Sequence, residues 1–167
     1  RALLPALGRI DMALVGEPTG MQAAAGERGL VVLDCTAHGK SGHAARGEGV
    51  NALYIALEDI ARLRSFRFER ESELLGPVGI AVTQIEAGTQ HNVVPDTCRF
   101  VADIRTTDAY TNEETVEILR GALRSQAVPR STRIRASALD AAHPLARAAQ
   151  AAGRRSYVSP TTSDMAL

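Results

Sequence analysis

Leu30-Val31-Val32-Leu33-Asp34-Cys35-Thr36-Ala37 sets Val31, Leu33, Cys35 and Ala37 on one face and Val32, Asp34 and Thr36 on the other. That period of two belongs to a strand with one buried side. The run passes directly into Gly39-Lys40-Ser41-Gly42-His43-Ala44-Ala45-Arg46, and Gly49-Val50-Asn51-Ala52 follows. Beyond it Leu53, Ala56, Leu57, Ile60 and Leu63 recur at helical spacing, with Glu58, Arg62 and Arg64 off the apolar stripe or at its margin. His43 therefore stands at a strand-to-helix junction, where function often gathers. Glycines beside it permit positive φ and a loop able to push an imidazole towards a ligand. A plain Gly- and Ser-rich turn carrying a solvated histidine fits the same residue types.

Working downstream, residues 65–77 are charged and end in Leu75-Gly76-Pro77, the composition of a surface connection. A second strand is predicted over 78–87, closed by the turn Gly88-Thr89-Gln90. His91-Asn92-Val93-Val94-Pro95-Asp96 then opens a third strand, in which Cys98, Phe100, Ala102 and Ile104 alternate with Arg99, Val101, Asp103 and Arg105. Arg105 is thus expected on the side away from the apolar face. Thr111-Asn112-Glu113-Glu114 has the form of a capping box, and the helix it starts carries Val116, Leu119, Ala122 and Leu123 on one stripe. Residues 131–137 supply a short fourth strand. From 30 to 137 the order is strand, helix, strand, strand, helix, strand. This is the α+β, ferredoxin-like plan: a four-stranded antiparallel sheet with two helices on one face.

The flanks read differently. Met12-Ala13-Leu14-Val15-Gly16 is a compact apolar run stopped by Gly and Pro, so it is expected as a buried strand with Glu17 at its carboxyl end. After the middle unit, Pro144 opens an Ala-rich helix behind His143, and Tyr157-Val158-Ser159 runs into the polar loop Thr161-Thr162-Ser163-Asp164. Residues 1–20 and 139–167 are accordingly expected to be pieces of an α/β domain into which 21–138 is inserted.

Composition narrows the function classes. Apolar residues at 45% and charged residues at 23% are globular values, and 19 Lys plus Arg against 19 Asp plus Glu leave no basic field for nucleic acid. No apolar run approaches the ~20 residues that span a bilayer, and Arg1-Ala2-Leu3-Leu4-Pro5 is too short to act as a signal peptide. Cys35 and Cys98 fall inside apolar strand runs without metal-ligand spacing, which predicts buried thiols and a cytoplasmic setting. His38, His91 and His143 fall at a strand end, a turn and a helix start, where structural or solvated roles suffice.

The ordered set Gly16-Glu17-Pro18-Thr19, Gly39 to Ala44 with Asn51-Ala52, Gly88 to Asp96, and Asp103-Ile104-Arg105 resembles the di-zinc aminoacylase and metallopeptidase family. That family includes acetylornithine deacetylase, to which the likeness is nearest, and succinyl-diaminopimelate desuccinylase. The resemblance implies a lid domain over 21–138 that pairs with its counterpart to make a homodimer. It implies that His43 reaches a neighbouring active site and steadies an oxyanion there, that Asn92 and Arg105 hold an N-acyl amino acid, and that Ser163 lies in a substrate-side loop. Glu17 would match a zinc-ligating carboxylate in an intact enzyme with two zinc ions. The family's His-x-Asp pair, bridging Asp, adjacent Glu-Glu and final His cannot be assigned, so the chain is expected to lack a metal site and to be inactive alone. The alternative is a non-catalytic ferredoxin-like module that dimerises or binds a small ligand.

Overall fold

The computed structural model describes residues 8–163, so the reading of residues 1–5 and of Asp164 lies outside the described residues. Nine strands and three α-helices are described: β1 (Ala23–Glu27), β2 (Gly29–His38), β3 (Gly42–His43), α1 (Ala52–Ser65), β4 (Gly79–Ala87), β5 (Val93–Val94), β6 (Thr97–Thr106), α2 (Asn112–Ala122), β7 (Gln126–Pro129), β8 (Ser137–Ala138), α3 (Pro144–Ala151) and β9 (Ser156–Ser159). Four of the strands form an antiparallel sheet in the order β4-β6-β2-β7. Val31, Leu33, Cys35 and Ala37 of β2 and Cys98, Phe100, Ala102 and Ile104 of β6 are buried on one face, with Ile55, Ala56 and Leu63 of α1 and Val116 and Leu119 of α2 packed over them. This is the ferredoxin-like arrangement read from the alternation. The opposite face of the sheet carries no helix, and Asp34, Arg99, Asp103 and Arg105 stand on it.

The fourth strand is not where the pattern placed it. Residues 126–129 pair with β2 through Leu33↔Pro129 to Thr36↔Gln126, whereas residues 131–137 contribute only the bridge Leu30↔Ile134 and the first residue of β8. Pro129 closes this strand. At the end of an edge strand its missing N–H removes no ladder bond, so it is tolerated there.

The buried stripe of α1 is rotated as well. Ala52, Ile55, Ala56, Asp59 and Leu63 are buried, whereas Leu57 is 48% exposed. Asp59 decides the rotation. Its carboxylate accepts from the backbone N–H groups of Arg124 (3.1 Å) and Ser125 (2.8 Å) and from the Ser125 hydroxyl (2.6 Å), tying α1 to the turn between α2 and β7. The capping box at α2 forms as read, with Thr111 Oγ1 accepting from Glu114 N and Glu114 accepting from Thr111 N.

Residues 65–77 are more than a surface connection. Phe66 and Phe68 pack on the core, their rings 5.0 Å apart edge to face, and Tyr110 accepts a 2.7 Å bond from Arg70 N. Leu75 is buried, and Ser72 and Gly76 exchange backbone bonds around it. The aromatic positions carry this, and a count of charges hid them.

The two ends of the middle unit, β1 and β8, make a separate three-stranded sheet with β9 of the downstream flank, in the order β8-β1-β9 with β1 and β9 parallel. Residues 12–16 are not a strand. Leu14 is 91% exposed and Glu17 lies in the same open stretch, because an apolar run becomes a buried strand only beside a partner, and none of the described strands pairs with it. Among the described residues no helix is long and apolar enough to cross a membrane.

Candidate functional site

His43 is held out on a small hairpin-like pair of short antiparallel strands that are remote from each other in the chain. Gly42↔Val94 and His43↔Val93 pair β3 with β5, Gly39 N donates to Asp96 O, and Ala44 N donates to Asn92 O at 3.0 Å. Gly39 and Gly42 are glycines for lack of space, whereas Gly47 and Gly49 further along the loop take positive φ. A Cβ on Gly39 would stand 2.1 Å from Val50 O, and one on Gly42 would stand 2.4 Å from Glu48 O. The imidazole is exposed, and its Nδ1 accepts from Ala45 N at 3.2 Å at the cap of the 3-10 turn Ala44–Arg46. A ring nitrogen that accepts carries no proton, so in the neutral ring the proton sits on Nε2, which remains to donate outward. Asn92 lies against the same hairpin and is half-buried. Structure therefore brings His43 and Asn92 together.

Arg105 is elsewhere. It occupies the far end of β6, facing Leu30 of β2 and Gly79 of β4, on the face without helices as the alternation required. Asp103, two residues earlier on the same face, grips it with Nε to Oδ1 at 2.7 Å and Nη2 to Oδ2 at 3.1 Å. Such a fork is the strongest form of guanidinium–carboxylate contact and fixes the plane of the group.

Ser163 belongs to this second end. Its N–H and hydroxyl donate to Glu27 Oε2 at 3.1 and 2.7 Å, and Glu27 is buried. The sequence reading overlooked Asp103 and Glu27. Asp103 was within reach, because residues i and i+2 of a strand share a face. Glu27 was not, since its partner lies 136 residues away.

Glu17 joins neither group. Among the described residues no three His, Cys, Asp or Glu side chains come together in a way that could hold a metal ion, and a single exposed carboxylate does not make a zinc site. Two cavities open near the sheet. One of about 300 Å³ lies beside the hairpin between Ser41, Thr89, Pro95 and Arg99, and one of about 600 Å³ lies on the helix-free face between Asp34, Gln84, Glu86 and Arg130. Neither is lined by His43, Asn92, Arg105 or Ser163. On that face Arg130 forks Asp34 at 2.8 and 2.9 Å and holds its carboxyl below the usual carboxylate range.

A sequence profile described as the peptidase dimerisation domain matches residues 25–131. Succinyl-diaminopimelate desuccinylase of Paracoccus denitrificans is 32% identical over 133 residues, covering 75% of this chain and 34% of that protein. Acetylornithine deacetylase of Myxococcus xanthus is 29% identical over 120 residues, covering 68% of this chain and 32% of that one. Desuccinylases are the more common of the two among the relatives. A tripeptidase from Staphylococcus aureus shares the fold at a TM-score of 0.67 and 19% identity, over 86% of this chain and 41% of its own. The chain spans about a third of the length of the curated relatives it matches.

Proposed function

This chain belongs to the peptidase dimerisation domain family, and from that premise we propose that it is the lid and dimerisation portion of a zinc-dependent amidohydrolase that deacylates N-acyl amino acids. The observation that carries this reading is the separation of His43 from Arg105. His43 hangs beyond the Thr97 end of β6 and Arg105 stands eight residues along it, roughly 26 Å away at ~3.3 Å per residue. A small substrate gripped by Arg105 is out of reach of His43 in the same chain. A second copy can supply its own.

In this reading Arg105 forks the substrate carboxylate, Ser163 of the same chain holds the rest of the molecule, and Asn92 reaches it from the other copy, beside that copy's His43. His43 of the other copy points Nε2–H at the oxygen that becomes negative when the amide carbonyl turns tetrahedral. No step that activates water is assigned to this chain, because among the described residues no set of side chains fits a metal centre. Two zinc ions, Glu17 as one ligand, and the catalytic base belong to the intact enzyme, with residues 1–20 and 139–167 as pieces of its catalytic domain and 21–138 as the lid. β1 of the lid pairs in parallel with β9 of the downstream piece, a contact that joins the two. Acetylornithine and succinyl-diaminopimelate, named for the relatives, are the first substrates to try, and the free buried thiols Cys35 and Cys98 fit a cytoplasmic enzyme.

The dimer is proposed to form through β4. It is a sheet edge nine residues long, whereas the opposite edge, β7, has four residues and ends in Pro129. α1 packs beside β4 and leaves Tyr54 and Leu57 exposed, and Ile85 of β4 is exposed too.

Subunit mixing tests the assignment. In the full-length enzyme His43→Ala and Arg105→Ala are each expected to be nearly inactive. Exchanged at equal ratio, they should recover about a quarter of wild-type sites, since half of the dimers are mixed and each mixed dimer holds one intact site. No recovery would overturn the shared site.

A further inference from the structure

Arg28 links β1 to β2, and its guanidinium is not spent on an acidic partner. Nη2 donates to Leu75 O at 2.7 Å, and that carbonyl is fixed because Leu75 is buried and its N–H donates to Ser72 Oγ at 2.8 Å. Nη1 makes no hydrogen bond among the described residues, and the side chain is half-buried.

Its position is set by Gly79. Gly79 faces Arg105 across the β4–β6 ladder, and facing residues of antiparallel strands share a face, so the bare backbone of Gly79 opens onto the side where Arg105 stands. A Cβ there would lie 3.2 Å from Arg28 Nη1 and 3.4 Å from Arg105 Cβ. The guanidinium of Arg28 and the stem of Arg105 therefore close over the same patch. Arg105 is held by Asp103 through Nε and Nη2, which leaves Nη1 unused. Of these two half-buried cations, Arg105 has a carboxylate partner in Asp103, and Arg28 has none among the described residues.

A carboxylate has two oxygens and about four lone-pair sites, enough to take a donor from each of two guanidiniums. We propose that Arg28 and Arg105 form a two-arginine clamp above Gly79 for a single substrate carboxylate, with Leu75 O and Asp103 as the stays that hold the two planes. This inference rests on the reading of Arg105 as the carboxylate partner. It adds a second contact residue and gives Gly79 a reason to lack a side chain.

The test uses the full-length enzyme and the chain alone. Arg28→Gln and Gly79→Val should each raise KM roughly tenfold or more with kcat little changed, the signature of lost uniform binding. Ser72→Ala removes the bond that fixes Leu75 O without touching the guanidinium, and should raise KM by less than Arg28→Gln does. If Arg105→Gln raises KM and Arg28→Gln does not, the clamp is overturned while the role of Arg105 stands. If Arg105→Gln leaves KM unchanged, the Arg105 reading itself fails. Should Arg28→Gln not fold, titration of the wild-type chain with acetate, followed by the Nε–H signals of both arginines, decides the matter. Both signals moving on one binding curve is the expected result, and movement of Arg105 alone would overturn the clamp.

Discussion

Asp59 and Ser125 are joined twice inside the core: the Asp59 carboxylate accepts the Ser125 N–H at 2.8 Å and its hydroxyl at 2.6 Å, and Asp59 is 0% exposed. Each buried donor left without a partner costs about 1–3 kcal/mol. Asp59→Ala strands the amides of Arg124 and Ser125 together, so urea unfolding should show a loss of about 3 kcal/mol or more. Asp59→Asn keeps one acceptor and should lose less. An unchanged midpoint for Asp59→Ala would show that the turn has other support.

If His43 donates to the oxyanion as proposed, replacing it with Ala in the full-length protein should lower turnover by about a hundredfold to a thousandfold. Bound zinc, measured by metal analysis, should stay at the wild-type level. His43 lies on an exposed hairpin and bears no core load, so the melting temperature should also hold. Unchanged turnover would remove the role.

Asp34 gives a pH prediction with a definite sign. Arg130 hydrogen-bonds its carboxylate and lowers its pKa, against a smaller opposing effect of burial. A carboxyl that ionises lower in the folded chain contributes its full stability above its unfolded pKa. That contribution is lost as pH falls through the lowered folded value. Carbon-detected NMR titration should place the Asp34 midpoint below the usual carboxylate range, and Arg130→Gln should raise it. The pair is half exposed, so the accompanying change in stability should be small.

Cys35 makes the opposite case. Burial first, and then the negative charges of Asp34 and Asp59, push its thiol up to about 12. The folded protein should resist a thiol reagent at about pH 8 and react once urea unfolds it, because an unfolded thiol ionises near 8.5. Stability should begin to fall as pH rises past that unfolded value, and go on falling towards the folded one. Rapid labelling of Cys35 in the folded chain would mean that this part of the core opens.

Association through β4 predicts that Leu57→Glu combined with Ile85→Glu shifts the full-length protein towards monomer in a sedimentation concentration series. The same charge pair placed at Ile118 and Val128, which are exposed on α2 and β7, should leave the dimer intact. If both variants associate like wild type, the interface lies elsewhere.

Much of the fold could be read because it rests on short-range periodicity. Residues 30–37 and 97–105 alternate on the chain itself, and the cap Thr111 and its partner Glu114 are three residues apart. Where the reading missed, the deciding partner was remote. Asp59 rotated α1 towards Ser125, 66 positions on. Residues 126–129 became the fourth strand because the edge of β2 was open to them, and Pro129 does no harm at an edge. Met12 to Gly16 has strand composition, but without a neighbour it stays extended and exposed.

The candidate site divides the same way. Its residue types and their order, the histidine in a glycine loop, Asn92 before Val-Val-Pro, and Arg105 on the polar side of its strand, were determined by sequence alone, since local spacing fixes face and loop. Only tertiary structure decided that His43 and Asn92 share one end of the sheet while Arg105 and Ser163 share the other, that Asp103 and Glu27 hold the latter two, and that Arg28 leans over Gly79. Those relations depend on strand register and on side chains far apart in the chain. No local pattern records them, because the energy that sets them comes from packing distant elements together.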